Sequence, residues 1–219
     1  MNQTATQSTG NRIPLWLKLL YTAFMLVLVP YYWRAYGPTN FLWFCDVALI
    51  VTFIGLWRES PFLISTQAVA IVAPQILWII SFVVELVTGK PFIGLASYMF
   101  DDTIPLFVRG LSLFHGWMPL LLLWLVWRVG FDRRAWKAQA TIAATVLTTA
   151  FLVLDGPTGP AGNVNKVFGL DDAAPQSWMP PAMWVAVLCV LYPLVIYLPS
   201  HLVFSRVAPS AIRIDCDIS

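Results

Sequence analysis

The 219-residue chain is 59% hydrophobic and only 11% charged, with a mean hydropathy of +0.74, whereas a water-soluble domain carries roughly 25% charged residues. That balance excludes an ordinary soluble fold. The net charge of +2 comes from basic residues scattered among apolar blocks, so there is no basic face for nucleic acid to neutralise and nucleic-acid binding is excluded.

Residues 1–12 are polar and read as a short tail. The apolar stretch that follows is longer than a signal-peptide core and lacks a small-x-small cleavage site, so it reads as a retained helix. A bilayer core about 30 Å thick needs about 20 apolar residues per helix. Six stretches bounded by charges, Pro or Gly fit: Ile13 to Trp33, Phe41 to Trp57, Pro61 to Val87, Gly110 to Trp127, Ala138 to Leu154 and Pro181 to Phe204. The expected fold is all-α, an integral membrane bundle of six transmembrane helices over residues 13–206, with a C-terminal tail over 207–219. No internal repeat or second domain is visible.

Orientation follows from the basic residues, which are retained on the cytosolic side. Arg12, Lys18, Arg58, Arg128, Arg133, Arg134, Lys137, Arg206 and Arg213 fall at one end, against Arg34, Lys90, Arg109 and Lys166 at the other. Both termini are therefore expected inside, an arrangement that suits a bacterial cytoplasmic membrane. Two of the outer connections, Gly89 to Arg109 and Asp155 to Pro180, are long and rich in Gly, Pro, Asn and Asp. Loops of that length usually carry function or are disordered. The presence of Asn163, Asn165, Phe168 and Trp178 in the second predicts partial order over the outer mouth of the bundle.

Polar groups inside hydrocarbon are costly and mark partners or function. Here they are Cys45 and Asp46 in the second stretch, Gln75 and Glu85 in the third, and Ser112 and His115 in the fourth. Cys45 lies thirteen residues before Arg58, and His115 thirteen before Arg128; at 1.5 Å per residue both sit roughly 20 Å from the basic end. If the two helices are neighbours, Cys45, Asp46 and His115 share one layer. Pro119, four residues after His115, cannot donate to the His115 carbonyl and should kink the helix there.

Plainer accounts exist for each group. A cysteine in an apolar helix is often a small packing residue. Asp46 could form an ion pair with Arg109 snorkelling inward, and His115 could hydrogen-bond a neighbouring helix. His201 reads as an interfacial residue. Trp33, Trp43, Trp57, Trp127 and Trp178 cluster near helix ends as an aromatic belt does. Three cysteines, Cys45, Cys189 and Cys216, have no regular spacing, and no Cys/His pattern indicates a disulfide framework, a metal or another cofactor.

The run Tyr36-Gly37-Pro38-Thr39-Asn40-Phe41-Leu42-Trp43-Phe44-Cys45-Asp46-Val47-Ala48-Leu49 resembles the second-helix motif of the multipass membrane superfamily of the androgen-induced fatty-acid-ester hydrolases. The same superfamily includes a Cys/His transmembrane phospholipid acyltransferase and small bacterial relatives whose second helix reads Leu-Cys-Asp. Ile104-Pro105 followed by His115 and Pro119 is similar to the helix that holds the superfamily's histidine. Asn163-Val164-Asn165-Lys166-Val167-Phe168-Gly169-Leu170, then Trp178 and Pro180, resembles the loop before the last helix of the bacterial members. The hydrolases place a threonine directly after their Phe-Leu pair, and Trp43 occupies that position here, so a threonine nucleophile is excluded. The acyltransferase branch implies Cys45 with His115 instead.

A cysteine attacks an ester as thiolate and needs a nearby base in an apolar setting. His115 is the expected base, with Asp46 orienting or stabilising the imidazole. Asn40, Arg109, Asn163 and Trp178 are the expected substrate-binding residues, with Asn40 or Asn163 as oxyanion donors. The expected function is thus a lipid acyl-ester hydrolase or acyltransferase acting on membrane lipids in the outer half of the bilayer. The alternative is a non-catalytic membrane protein that binds a lipid or small ligand, or scaffolds partners, through a network of Asp46, Glu85, Arg109 and His115. Transport fits less well, because the chain lacks repeats and paired interrupted spans.

Overall fold

The computed structural model describes residues 13–211. The expected N-terminal tail, Arg12, Arg213 and Cys216 lie outside the described residues. The described chain is helical: α1 Leu15–Tyr36, α2 Phe44–Arg58, α3 Pro61–Thr88, α4 Leu106–Ser112, α5 Phe114–Val129, α6 Ala135–Val153, α7 Pro181–Tyr192 and α8 Leu198–Val207. α4 with α5, and α7 with α8, each form one long interrupted rod, so six long helical segments lie where six apolar stretches are expected.

Four of these segments are long and apolar enough to cross a membrane: Leu15–Tyr36, Pro61–Thr88, Leu106–Val129 and Pro181–Val207. The other two fall short for different reasons. α2 has 15 residues, about 22 Å at 1.5 Å each. α6 has 19 but carries Lys137, Gln139 and four threonines among them.

The outward surface is apolar. Leu19, Leu20, Leu26, Ile80, Val87, Leu120, Leu152, Val195 and Val203 are all exposed, far more contiguous apolar surface than a water-soluble monomer shows. Trp16 and Trp33 are 65% and 58% exposed at opposite ends of α1. Their seventeen-residue separation is about 25 Å of helix, the spacing of two interfacial aromatic belts.

α3 runs through the centre and packs on α2, α5, α6 and α8. Because lipid tails solvate Leu as well as another helix does, packing inside a bilayer depends on close van der Waals fit and small residues. Gly55 of α2 illustrates this. A Cβ there would stand 3.2 Å from Ile64 Cγ1 and 3.3 Å from Leu63 Cβ, so a side chain would crowd the start of α3 where α2 turns back onto it.

Local sequence explains most helix ends. Ser60 caps α3, its Oγ accepting from Leu63 N at 3.4 Å, and Pro61 follows at the first helical position, where its missing N–H costs nothing. Pro193 cannot donate a backbone hydrogen bond, and α7 gives way there to a π-helical turn, Pro193–Tyr197, before α8 resumes. α5 runs through Pro119 as one helix, and the rod is interrupted instead at Leu113, between α4 and α5.

The two ends of the bundle are chemically different. At the basic end, Lys18 pairs with Glu59 at 2.7 Å. Ser65 Oγ accepts from Asp132 N at 2.9 Å, and the segment after α8 lies against Phe131, with Ala211 N donating to Phe131 O at 3.0 Å. At the opposite, loop end, the connection over residues 154–180 folds back over α2. Trp43 Nε1 donates to Ala161 O at 3.0 Å, and Trp184 Nε1 donates to Lys166 O at 2.8 Å.

Candidate functional site

The candidate residues stand just inside the loop end, where α2 and α5 each pack on α3 and α1 lies against α2. Their common level is fixed by Tyr21 of α1, whose hydroxyl donates to Leu49 O at 3.0 Å and lies 3.5 Å from Met118 Sδ. Leu49 is one turn beyond Cys45 on α2, and Met118 is three residues beyond His115 on α5. Both helices run from the loop end toward the basic end, so Cys45 and His115 occupy the same layer, the level expected from counting back from Arg58 and Arg128.

His115 owes its setting to the break at Leu113. In an unbroken helix Gly116 N would donate to Ser112 O, but it donates to Leu113 O at 2.9 Å. The freed Ser112 carbonyl takes His115 Nδ1 at 2.8 Å instead. A carbonyl oxygen only accepts, so Nδ1 carries the proton and Nε2 keeps its lone pair. Among the described residues nothing donates to Nε2. The ring lies between Trp78 and Phe114, with centroid distances of 5.2 and 4.0 Å.

Asp46 is buried in the first turn of α2, beside Cys45. One carboxylate oxygen, Oδ2, accepts from Asn40 Nδ2 at 3.1 Å; the other, Oδ1, is buried with no partner. Asp46 therefore pairs with Asn40, neither with Arg109 nor with the imidazole it was expected to orient. No hydrogen bond among the described residues joins Cys45 Sγ to His115. The two half-buried groups share a layer without touching as donor and acceptor.

Further groups converge on the same place. Tyr32 of α1 shares a hydrogen bond of 3.0 Å with Ser112 Oγ and lies within electrostatic reach of Asp46, Tyr98 and Cys45. Along α3, Gln75, Trp78, Ser81 and Glu85 are buried at intervals of three and four residues and form one inward polar stripe. Glu85 accepts from Ser97 Oγ at 2.8 Å, whereas the Gln75 amide, Trp78 Nε1 and Ser81 Oγ have no protein partner. Orphaned polar groups at this density are rare in folded interiors.

The remaining expected substrate-binding residues are placed differently. Arg109 Nη1 donates to Met99 O at 3.1 Å and Nη2 lies 3.6 Å from exposed Asp102, which ties it to the loop before α4. Asn163 is buried and spent within its own loop: Nδ2 donates to Gly169 O and Asp171 O, each at 2.9 Å, and Oδ1 accepts from Phe168 N at 3.1 Å. It has no capacity left for an oxyanion. Trp178 is 67% exposed and meets Trp184 edge-on at 5.5 Å, an interfacial position away from Cys45.

Sequence reasoning passed over Tyr32, Trp78 and Tyr98 as site residues, and it missed what Asn165 does. The only available signal for Tyr32 was its helical spacing from Tyr21, Met25 and Leu28, all buried on one face of α1. Tyr98 had none, because it belongs to a short 3-10 turn, Ser97–Phe100, whose docking is tertiary. The described residues hold no cluster of three or more His, Cys, Asp or Glu suited to a metal.

Together these observations describe a multi-helix integral membrane protein with a cluster of buried polar groups near one end. Comparison with protein-family models, curated proteins and solved structures finds no match to this chain.

Proposed function

We propose that all six long segments cross the bilayer with the basic end in the cytosol, and that the polar cluster at the loop end is the reaction centre of a lipid acyl-ester hydrolase or acyltransferase. Two features support six spans. The α6 hydroxyls of Thr141 and Thr145 are satisfied within the helix by Lys137 O and Thr141 O at 3.2 and 3.0 Å, which lowers their cost in lipid. Short α2 is prolonged toward the loop end by the 3-10 turn Pro38–Leu42.

The observation that carries the reaction is the state of His115. A neutral imidazole whose Nδ1–H is held by a carbonyl, and whose Nε2 is unclaimed in the layer of a cysteine, is the arrangement of a general base. In the proposed sequence Nε2 takes the proton of Cys45 Sγ as sulfur adds to the ester carbonyl carbon. The tetrahedral adduct collapses, the C–O bond breaks, and the leaving alkoxide takes the proton back from His115. Water, or the hydroxyl of an acceptor lipid, then gives its proton to Nε2 and adds to the thioester; collapse returns the proton to Cys45 and releases fatty acid or a new ester. Catalytic hydrogen bonds are often long before substrate arrives, which accommodates the unmade contact between Cys45 and His115. The resemblance of the Cys45-Asp46 and His115 segments to the acyltransferase branch points the same way.

The test is turnover and labelling of the purified protein in nanodiscs. A lipid-like acyl electrophile is expected to modify Cys45, and Cys45→Ala and His115→Ala are each expected to abolish release of fatty acid. Full activity in either variant overturns the mechanism. The unmade Cys45–His115 contact favours a second reading, a site that binds a lipid without cleaving it; that reading predicts a co-purifying lipid, no labelling and no turnover.

A further inference from the structure

At the basic end, far from Cys45, the described carboxylates are already taken. Glu59 pairs with Lys18 at 2.7 Å. Asp132 pairs with Arg134 at 2.7 Å and also accepts from the Arg134 backbone N–H at 2.9 Å. Arg133, Lys137 and Arg206 are exposed at the same end, and none of the three forms an ion pair with a described carboxylate.

The fold gathers these cations from distant parts of the chain. Phe131 N donates to Pro209 O at 2.6 Å and Ala211 N donates to Phe131 O at 3.0 Å, which stitches the turn after α5 to the end of α8. Arg133 lies two residues after Phe131, and Arg206 three before Pro209. Lys137 joins them from α6. Trp136 meets His201 of α8 with ring centres 6.2 Å apart, the Lys137 ammonium lies 5.9 Å from the Trp136 ring centre, and Arg133 is within electrostatic reach of His201. Like charges drawn together repel, and an anion among them relieves the repulsion. The patch also lies at the rim of the bilayer. The membrane-length segments Leu106–Val129 and Pro181–Val207 end beside it, and Trp136 has the amphipathic ring that settles at headgroup level. On α8, next to Arg206, the side chains of Leu202, Val203 and Val207 are exposed and apolar.

We infer that Arg133, Lys137 and Arg206 form a surface site for the headgroup phosphate of an anionic phospholipid, whose acyl chains run along Leu202, Val203 and Val207. The charges select the occupant. Guanidinium groups take phosphate oxygens in pairs and Lys137 adds a point charge. With Glu59 and Asp132 both engaged, no described carboxylate is left to meet the ammonium of a zwitterionic headgroup, so a lipid with net negative charge fits best. A soluble phosphate would leave the apolar strip on α8 unused. The site is independent of chemistry at Cys45 and His115, and it stands at the opposite end of the bundle from them.

The test is native mass spectrometry of the full chain in detergent, titrated in turn with dioleoylphosphatidylglycerol, dioleoylphosphatidylcholine and inorganic phosphate. Phosphatidylglycerol is expected to bind most tightly, and less so as ionic strength rises. Arg133→Gln, Lys137→Gln and Arg206→Gln should each weaken it about fivefold and the triple variant about 100-fold, the scale for loss of cations beside an anionic lipid surface. Because all three side chains are exposed, the variants should keep the wild-type Tm, which confirms that lost binding is not lost folding. Arg34→Gln combined with Lys90→Gln removes two exposed cations at the loop end and should leave binding unchanged, as should Cys45→Ala. Equal affinity for phosphatidylcholine, or equal losses in the triple variant and the loop-end control, overturns the site in favour of unselective attraction. Inorganic phosphate binding as tightly as phosphatidylglycerol overturns the lipid as occupant, and loss of binding in Cys45→Ala would place the lipid at the other end of the bundle.

Discussion

Phe44 N, the first backbone donor of α2, hydrogen-bonds Asn165 Oδ1 at 3.0 Å across 121 residues of sequence. The same carboxamide donates through Nδ2 to Leu42 O at 2.7 Å, so one side chain of the last long loop brackets the start of the helix that carries Cys45 and Asp46. Asn165 adopts a left-handed backbone (φ 49°), a conformation asparagine tolerates better than most residues, and Tyr192 Oη donates to its carbonyl at 3.2 Å. The loop is thereby a clamp on the candidate site, and this is a role for Asn165 that its sequence position alone did not reveal.

Asn165→Ala removes both bonds and leaves two backbone groups unpaired, at a cost of about 1–3 kcal/mol. The expected outcome is a lower Tm in detergent and faster proteolytic cleavage within residues 154–180. Thermal unfolding of the purified variant measures the first, and an unchanged Tm would show that the clamp does not hold the loop.

Lys18 is 6% and Glu59 18% exposed at the side chain, between the surface and fully buried limits for an ion pair. Lys18→Met is expected to destabilise by about 1–3 kcal/mol, between those limits, by removing the Lys18–Glu59 pair at the basic end. Comparing unfolding of wild type and variant at low and high salt checks this; the difference should shrink little with salt, since the pair is shielded from solvent.

Gly130 has φ +92°, and a Cβ there would stand 2.6 Å from Ala211 Cα. With ψ 157°, this is backbone that only glycine adopts readily. Gly130→Ala should cost roughly 1–3 kcal/mol and release the segment after α8 from Phe131. Hydrogen exchange at Ala211, whose amide donates to Phe131 O, is expected to accelerate.

Ser112 contributes to the site through two different groups. Its carbonyl holds His115 and its hydroxyl bonds Tyr32. Ser112→Ala deletes only the second, at about 1 kcal/mol, so turnover should fall by roughly fivefold if that full amount is lost from the transition state, against abolition in His115→Ala. Equal losses in the two variants would mean that the imidazole is not acting as base.

The proposed six-span topology makes a separate prediction. In a background without native cysteines, Asp172→Cys should react with a membrane-impermeant maleimide added outside intact cells, and Arg133→Cys only after lysis. The reverse pattern would invert the bundle, and labelling of both from one side would break the six-span count.

Several features were legible in the residue string. Hydropathy is a local property, so the six long helical segments and the lipid-facing character of the chain follow from runs of apolar residues, whatever their neighbours. The common layer of Cys45 and His115 followed too, because rise per residue is constant along a helix. What stands beside each polar group was decided only in three dimensions. Asp46 was open to Arg109 or His115, and the structure pairs it with Asn40; His115 found the Ser112 carbonyl freed by the break at Leu113; Asn163 turned into its own loop. These outcomes depend on the rotation of each helix about its axis and on how two long loops fold back, and neither quantity is written in hydropathy. Inside hydrocarbon a polar side chain takes whichever partner that rotation brings within about 3 Å.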